Sequence, residues 1–329
     1  MILLHFEKKG YFMEIKEIEY GTFGKCLSIT NGTIKAIVTI DVGPRIISFS
    51  RCDAEEEGNI FFEDIERKHC AKGKNFDQLY GEGACHFAYG GHRLWLSPED
   101  YANTCYPDNR PVVYSLTEEG VNFMAPQEQR SVQTSMTLSM GETGSSMMVI
   151  HTGTNHSQDL QTCSLWGITM LRKGGFAVVP QNPRSDGNLL LPNRQISLWP
   201  YTDLQDPRLY IGNRFVTLRQ MPVDFSHPKL KIGLDCHSGW CLYQSGSLVF
   251  AKRYVHNVNA AYPDGGVSFE GYITGDAMNL ETLSPLYRIA PGDTIRHVES
   301  FSLLVQPETV LPDVRNEDDI ARWVDELEF

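Results

Sequence analysis

Three segments of the 329-residue chain gather polar and aromatic side chains more densely than core packing requires. In Tyr89-Gly90-Gly91-His92-Arg93-Leu94-Trp95-Leu96-Ser97-Pro98-Glu99, with Tyr106-Pro107-Asp108-Asn109 close behind, an imidazole, a guanidinium and an indole follow two glycines. These types offer a proton donor, a planar fork of donors and a stacking face, and the glycines let backbone approach a ligand. The bland alternative makes the glycines a bend, His92 and Arg93 surface side chains, and Trp95 core. The second segment runs from His151 through Asn155-His156 to Cys163-Ser164-Leu165-Trp166. An Asn-His pair leaving a strand end can aim an imidazole into a cleft, where histidine titrates near neutral pH. A solvated histidine in a Ser/Asn/Gln-rich loop is the alternative. The third segment holds Lys252-Arg253-Tyr254, Tyr262-Pro263-Asp264-Gly265-Gly266, Phe269-Glu270 and Asn279-Leu280-Glu281-Thr282-Leu283. Glu281 sits mid-strand between Leu280 and Leu283. On an inward face it must be paired, hydrogen-bonded or raised in pKa, the profile of a poised base. On an outward face it is a solvated acid. Lys252 and Arg253 are its positive partners or an exposed pair on an edge strand.

Positioning such groups falls to β-strands. Ile34, Ala36, Val38 and Ile40 alternate with polar residues before the Gly43-Pro44 break, and an extended run resumes at Arg45. Alternation over 131–140, a Gly141-to-Gly144 turn and a return over 147–152 predict a hairpin, and 240–243 with 248–254 predicts a second. Further strands fit 177–180, 215–220, 230–234, 268–273, 278–283 and 297–305. Ile320, Trp323, Val324 and Leu327 fall at helical spacing, with Asn316 placed to cap a C-terminal helix. Ser97-Pro98-Glu99-Asp100 predicts a short helix start, and 181–206 an ordered crossing loop. The fold class expected is all-β, one large antiparallel sandwich over 13–329, with residues 1–12 an extension outside the core fold whose first ten positions carry no function.

Charge and cysteine usage narrow the partners. Lys plus Arg number 29 against 41 Asp plus Glu, a net charge of −12 that repels a phosphate backbone, so nucleic acid is not expected. No apolar run spans a bilayer and the N-terminus lacks a signal peptide, which predicts no membrane and a cytoplasmic protein. Eight scattered cysteines without a C-x-x-C pair suit reduced thiols. Cys236-His237 with Cys241 lacks the second ligand pair of a zinc ribbon, and no metal or cofactor is expected.

Five stretches together carry a resemblance: Gly43-Pro44-Arg45-Ile46; Gly90-Gly91-His92-Arg93-Leu94-Trp95; Leu198-Trp199-Pro200-Tyr201-Thr202-Asp203 with Asp206-Pro207-Arg208; Tyr262-Pro263-Asp264-Gly265-Gly266; and Leu280-Glu281-Thr282-Leu283-Ser284-Pro285 before Pro291-Gly292-Asp293. They resemble the galactose-mutarotase-like (aldose 1-epimerase-like) superfamily, most closely a bacterial branch similar over nearly the whole chain. The resemblance implies a β-supersandwich of two large twisted antiparallel sheets with a carbohydrate-sized cleft on a concave face. It implies a small-molecule sugar or sugar derivative as partner. The implied reaction is anomer interconversion, in which a glutamate takes the anomeric hydroxyl proton and a histidine protonates the ring oxygen. Glu281, ahead of a Pro-Gly-Asp turn and the last strand, resembles the family base. His156 in Asn155-His156-Ser157 resembles the family histidine, although Gln158 and Asp159 stand where two aromatic residues are expected. His92 is the rival acid, with Arg93 a clamp for hydroxyl, carboxylate or phosphate. Trp95, Trp166 and Trp199 are candidates to stack on a pyranose face, and Asn155, Lys252, Asp264 and Glu270 to bind substrate. The missing aromatic pair keeps a second reading open, a non-catalytic carbohydrate-binding protein with the same cleft. Paired sheet edges would give a homodimer.

Overall fold

The period-two alternation becomes two stacked antiparallel sheets in the computed structural model of the chain. The structure describes all residues except 1–2, 9–10, 101–103, 127–130, 185–186, 188–189, 222–228 and 307–311, with backbone only at 3–8 and 11–12. The first sheet has twelve strands. Their spatial order is Leu3–Lys8, Tyr11–Glu19, Lys25–Thr30, Ile34–Thr39, Ile46–Arg51, His92–Ser97, Gln161–Leu171, Met278–Leu283, Phe269–Ile273, Leu230–Leu234 and Ile196–Leu198, with Tyr287–Ile289 pairing the start of Gln161–Leu171. The second has ten: Leu209–Ile211, Phe215–Arg219, Phe176–Pro180, Trp240–Ser245, Leu248–Tyr254, Thr294–Val305, Ser146–Asn155, Val132–Met140, Gly120–Met124 and Val113–Thr117.

Each sheet turns one alternate set of side chains toward the other, and these form the main core. Phe49, Phe61, Phe250 and Phe301 meet there with ring centroids 5.3 to 6.5 Å apart. Both expected hairpins form, Val132–Met140 with Ser146–Asn155 and Trp240–Ser245 with Leu248–Tyr254. Helix Glu317–Asp325 is capped by Asn316, whose side chain accepts from the Asp318 and Asp319 amides. It buries Ile320 and Trp323 against Phe176, Val178 and Leu242 on the outer face of the second sheet.

The helix expected at Ser97 does not form over 98–100, and 101–103 lie outside the described residues. Ser97 ends a strand instead, opposite Ser164, and its hydroxyl donates to Asp264 rather than capping. The crossing segment 181–206 contributes edge strand Ile196–Leu198, while its positions 185–186 and 188–189 are outside the described residues. All eight cysteines are free thiols. Among the described residues no helix is long and apolar enough to cross a membrane.

Candidate functional site

Five neighbouring strands of the first sheet, His92–Ser97, Gln161–Leu171, Met278–Leu283, Phe269–Ile273 and Leu230–Leu234, build a cleft on the face turned away from the second sheet. Alternation decides which side chains reach it. Leu230, Ile232, Leu234, Phe269, Ile273, Met278 and Leu280 join the core between the sheets, so Lys231, Glu270, Tyr272, Asn279 and Glu281 project the other way. The cleft holds about 240 Å³ and is walled by Arg93, Trp95, Trp166, Lys231, Tyr272, Asn279 and Glu281, with Glu99 and Tyr201 from loops. Strand register places Trp95 opposite Trp166, and sets Arg93, Ile168, Glu281 and Glu270 side by side in one row across four strands.

Glu281 is 2% exposed. Its Oε2 accepts from Trp166 Nε1 at 3.1 Å and meets Lys231 Nζ at 3.1 Å, and Oε1 accepts from Asn279 Nδ2 at 3.0 Å. Burial alone would raise its pKa; the Lys231 ammonium and the hydrogen bonds outweigh burial and lower it. Glu270 touches the same ammonium at 2.6 Å but has no directed hydrogen bond to either carboxyl oxygen. Burial therefore holds Glu270 well above the ordinary carboxylate range. The Lys231 ammonium favours ionisation of both carboxyls, and prevails over burial at Glu281 but not at Glu270. Lys231 stays charged because both carboxyls overcome its own burial, and its Nζ lies 4.7 and 4.4 Å from the Trp166 and Trp199 ring centroids.

Arg93 is 5% exposed, yet no carboxylate pairs with it among the described residues. It lies 4.3 Å over the Trp95 ring, donates from NH1 to Met170 Sδ at 3.3 Å, and its Nε has no partner. Burial lowers its pKa to about 10, which leaves it charged at neutral pH. A buried, unpaired guanidinium facing a cleft asks for a ligand oxygen. Glu99, on the cleft wall with its residue exposed at the rim, is raised by partial desolvation and by the neighbouring Glu281 and Asp264 carboxylates, against the pull of Lys231. Burial likewise pushes the Tyr201 phenol up to about 12 and raises Tyr272.

His92 alternates with Arg93 and so points into the space between the sheets. There it meets His151, Glu299 and Lys252 from the second sheet. His92 Nε2 is 2.9 Å from His151 Nε2 and 3.3 Å from Glu299 Oε2, and Lys252 Nζ is 3.0 Å from Glu299 Oε1. A Cβ at Gly167 would stand 2.5 Å from Glu299 Oε1, so only glycine there admits the carboxylate. Burial holds His92 well below its ordinary pKa; against burial, Lys252 and the imidazoles hold Glu299 well below its own.

This cluster corrects two expectations: His92 does not reach the cleft, and Lys252 partners Glu299 rather than Glu281. The other histidine is also elsewhere. His156 lies just past strand Ser146–Asn155, exposed and outside the cleft lining. Asn155 is buried and saturated, accepting from Ser157 and donating to the Asp159 and Ile289 carbonyls. The structure thus brings together Glu281, Arg93, Trp95, Trp166, Trp199 and Glu270, with Asp264 adjoining through Ser97 at 3.3 Å. Sequence reasoning passed over Lys231 and Tyr272, and gave no site role to Glu99 or Tyr201 although both stand in the segments it quoted. For Lys231 a signal existed: Leu230, Ile232 and Leu234 claim one face of their strand, which leaves a lysine alone on the other.

No protein-family model and no curated protein matches the sequence. Solved structures do. The chain is similar to a candidate aldose 1-epimerase from Klebsiella pneumoniae at 10% identity, over 97% of this chain and 88% of that one, with a TM-score of 0.56. It is similar to a galactose mutarotase-like protein from Lactobacillus casei at 10% identity, over 85% and 100% of the two chains, with a TM-score of 0.52. A TPR-domain containing protein from Parabacteroides distasonis matches at 13% identity and a TM-score of 0.56; the match covers 86% of this chain but only 47% of that longer one. At these identities the likeness establishes the fold, a galactose mutarotase-like β-sandwich.

Proposed function

We propose that the protein binds a monosaccharide or small sugar derivative in this cleft and interconverts its anomers by general acid/base catalysis. One observation carries the reading: two carboxyls of opposite protonation bias, Glu281 and Glu99, face one cleft walled by indoles and phenols. At about 240 Å³ the cleft falls below the range of roughly 300–1,000 Å³ typical of drug-sized ligands, which suits a single sugar ring. Aromatic faces pack against sugar C–H groups, and Arg93 and Lys231 donate to its oxygens. The ionised Glu281 accepts the anomeric hydroxyl proton, and Glu99, which keeps its proton to higher pH than an ordinary carboxyl, protonates the ring oxygen as the bond from the anomeric carbon breaks. Rotation of the open-chain aldehyde and reversal of both transfers close the other anomer and restore both carboxyls.

Saturation-transfer NMR on equilibrating hexoses, hexuronates and hexose phosphates tests the reading. Accelerated exchange should fall by at least about 100-fold in Glu281→Gln and in Glu99→Gln. Acceleration that survives Glu281→Gln would overturn it. A second reading, sugar binding without turnover, is favoured by one observation: among the described residues no histidine lines the cleft, and Trp166, Lys231 and Asn279 already occupy most of the Glu281 acceptor sites. Saturable binding with no acceleration for any sugar would establish that reading.

A further inference from the structure

Asp235, His237 and His256 lie outside the cleft lining. Asp235 and His237 follow strand Leu230–Leu234 of the first sheet, and His256 follows strand Leu248–Tyr254 of the second. His237 Nε2 is 2.9 Å from Asp235 Oδ2, and His256 Nε2 is 3.3 Å from Asp235 Oδ1. One carboxylate thus stands between two imidazole nitrogens, and the three donor atoms fall within 4.8 Å of one another. We propose that these residues bind one divalent transition-metal ion of the zinc class, a clip that ties a strand end of one sheet to a strand end of the other.

The donor spacing already suits such an ion. Tetrahedral zinc–ligand bonds of about 2.0–2.1 Å imply donor–donor distances of roughly 3.3–3.4 Å; the two nitrogen–oxygen separations, to the two different oxygens of Asp235, are 2.9 and 3.3 Å, and with the whole set within 4.8 Å a small side-chain closure completes the fit. Two imidazoles and a carboxylate form a set that prefers zinc, cobalt or nickel over calcium or magnesium. The ligands are also held in place without a metal. The His256 ring is stacked between Tyr262 and His237, centroids 4.8 and 4.9 Å away, with interplanar angles of 7° and 24°. Asn182 clamps the other pair, donating to the Asp235 carbonyl at 2.8 Å and accepting from the His237 amide at 3.0 Å. Gly239, at φ +64°, lets this turn press on the strand that leads to His256: a Cβ there would stand 2.4 Å from the Tyr254 carbonyl oxygen.

Charge separates this triad from the His92, His151 and Glu299 cluster. In that cluster Lys252 already neutralises the carboxylate at 3.0 Å, and an added cation would face an ammonium. Asp235 pairs with no lysine or arginine among the described residues, only with the two imidazoles. The site is also reachable, since the His237 and Asp235 side chains are 33% and 23% exposed, which leaves room for water to complete the coordination shell.

The test uses the untagged full-length chain, stripped with chelator and dialysed. Titrated Co²⁺ should bind one ion per chain with a visible d–d band, and one equivalent of Zn²⁺ should displace it. Zn²⁺ at about 100 times its Kd should raise Tm by roughly 4 °C or more. In His237→Asn and Asp235→Asn the band and the Tm shift should vanish, while circular dichroism and Tm in chelator match the parent. A second readout needs no variant: Zn²⁺ should protect His237 from diethylpyrocarbonate in the unmodified protein. Absence of stoichiometric binding would overturn the proposal, as would binding that persists in both variants without protecting His237.

Discussion

Replacing Lys231 by methionine removes the cation that both Glu281 and Glu270 touch, while the new side chain keeps much of the apolar stem. At 3.1 Å and an effective dielectric of about 20, the attraction lost to Glu281 is about 5 kcal/mol. Relief of the lysine's own burial offsets part of that, so the expected loss of stability is about 3–5 kcal/mol, the usual cost of breaking a buried pair from one side. Glu281 keeps its bonds from Trp166 and Asn279 but loses the main influence lowering its pKa. With that influence gone, burial is free to lift the carboxyl pKa. The pH signature follows from the sign of that change. In the parent the folded pKa of Glu281 lies below the unfolded value, so its contribution is present above the ordinary carboxylate range and fades as pH falls. In the variant the folded pKa lies above the unfolded value, so the penalty is greatest at neutral pH and shrinks as acid protonates the carboxyl. Urea unfolding at about pH 7.5 and about pH 5 should show a smaller difference between parent and variant at the lower pH. Adding Glu281→Gln to Lys231→Met should recover at least about 1 kcal/mol. A penalty independent of pH, together with no recovery in the double variant, would refute the account of this pair.

Two further outcomes follow. Arg93→Met should raise stability by about 1–2 kcal/mol, because it removes a buried cation without a counterion, yet weaken sugar binding at least tenfold in calorimetry; unchanged affinity would remove Arg93 from the site. Burial lowers His86 from 6.5 to about 4, so the unfolded chain takes up a proton there before the folded one does. Its contribution is full above pH 6.5 and declines toward pH 4, by about 3 kcal/mol, and His86→Phe should remove that share of the acid slope measured by denaturant unfolding.

The elements were legible in the sequence because they rest on local periodicity. Alternation over Val132–Met140 and Trp240–Ser245, and the Asn316 cap ahead of Ile320 and Trp323, correspond to observed hairpins and a helix. Glu281, Trp166, Trp95 and Arg93 were legible as chemically able side chains on strands. Their grouping was not. His92 and Arg93 are adjacent in sequence and serve opposite faces of one sheet, and Lys231, fifty positions before Glu281, reaches it across an intervening strand. Local pattern settles that neighbours in a strand face opposite ways. It does not say which way is which when both faces are covered, as in Met278–Leu283, where all six residues are buried. Only the packing of the second sheet assigned His92 and Lys252 to the interior and turned Arg93, Lys231 and Glu281 toward the cleft, because alternation has a period but no sign.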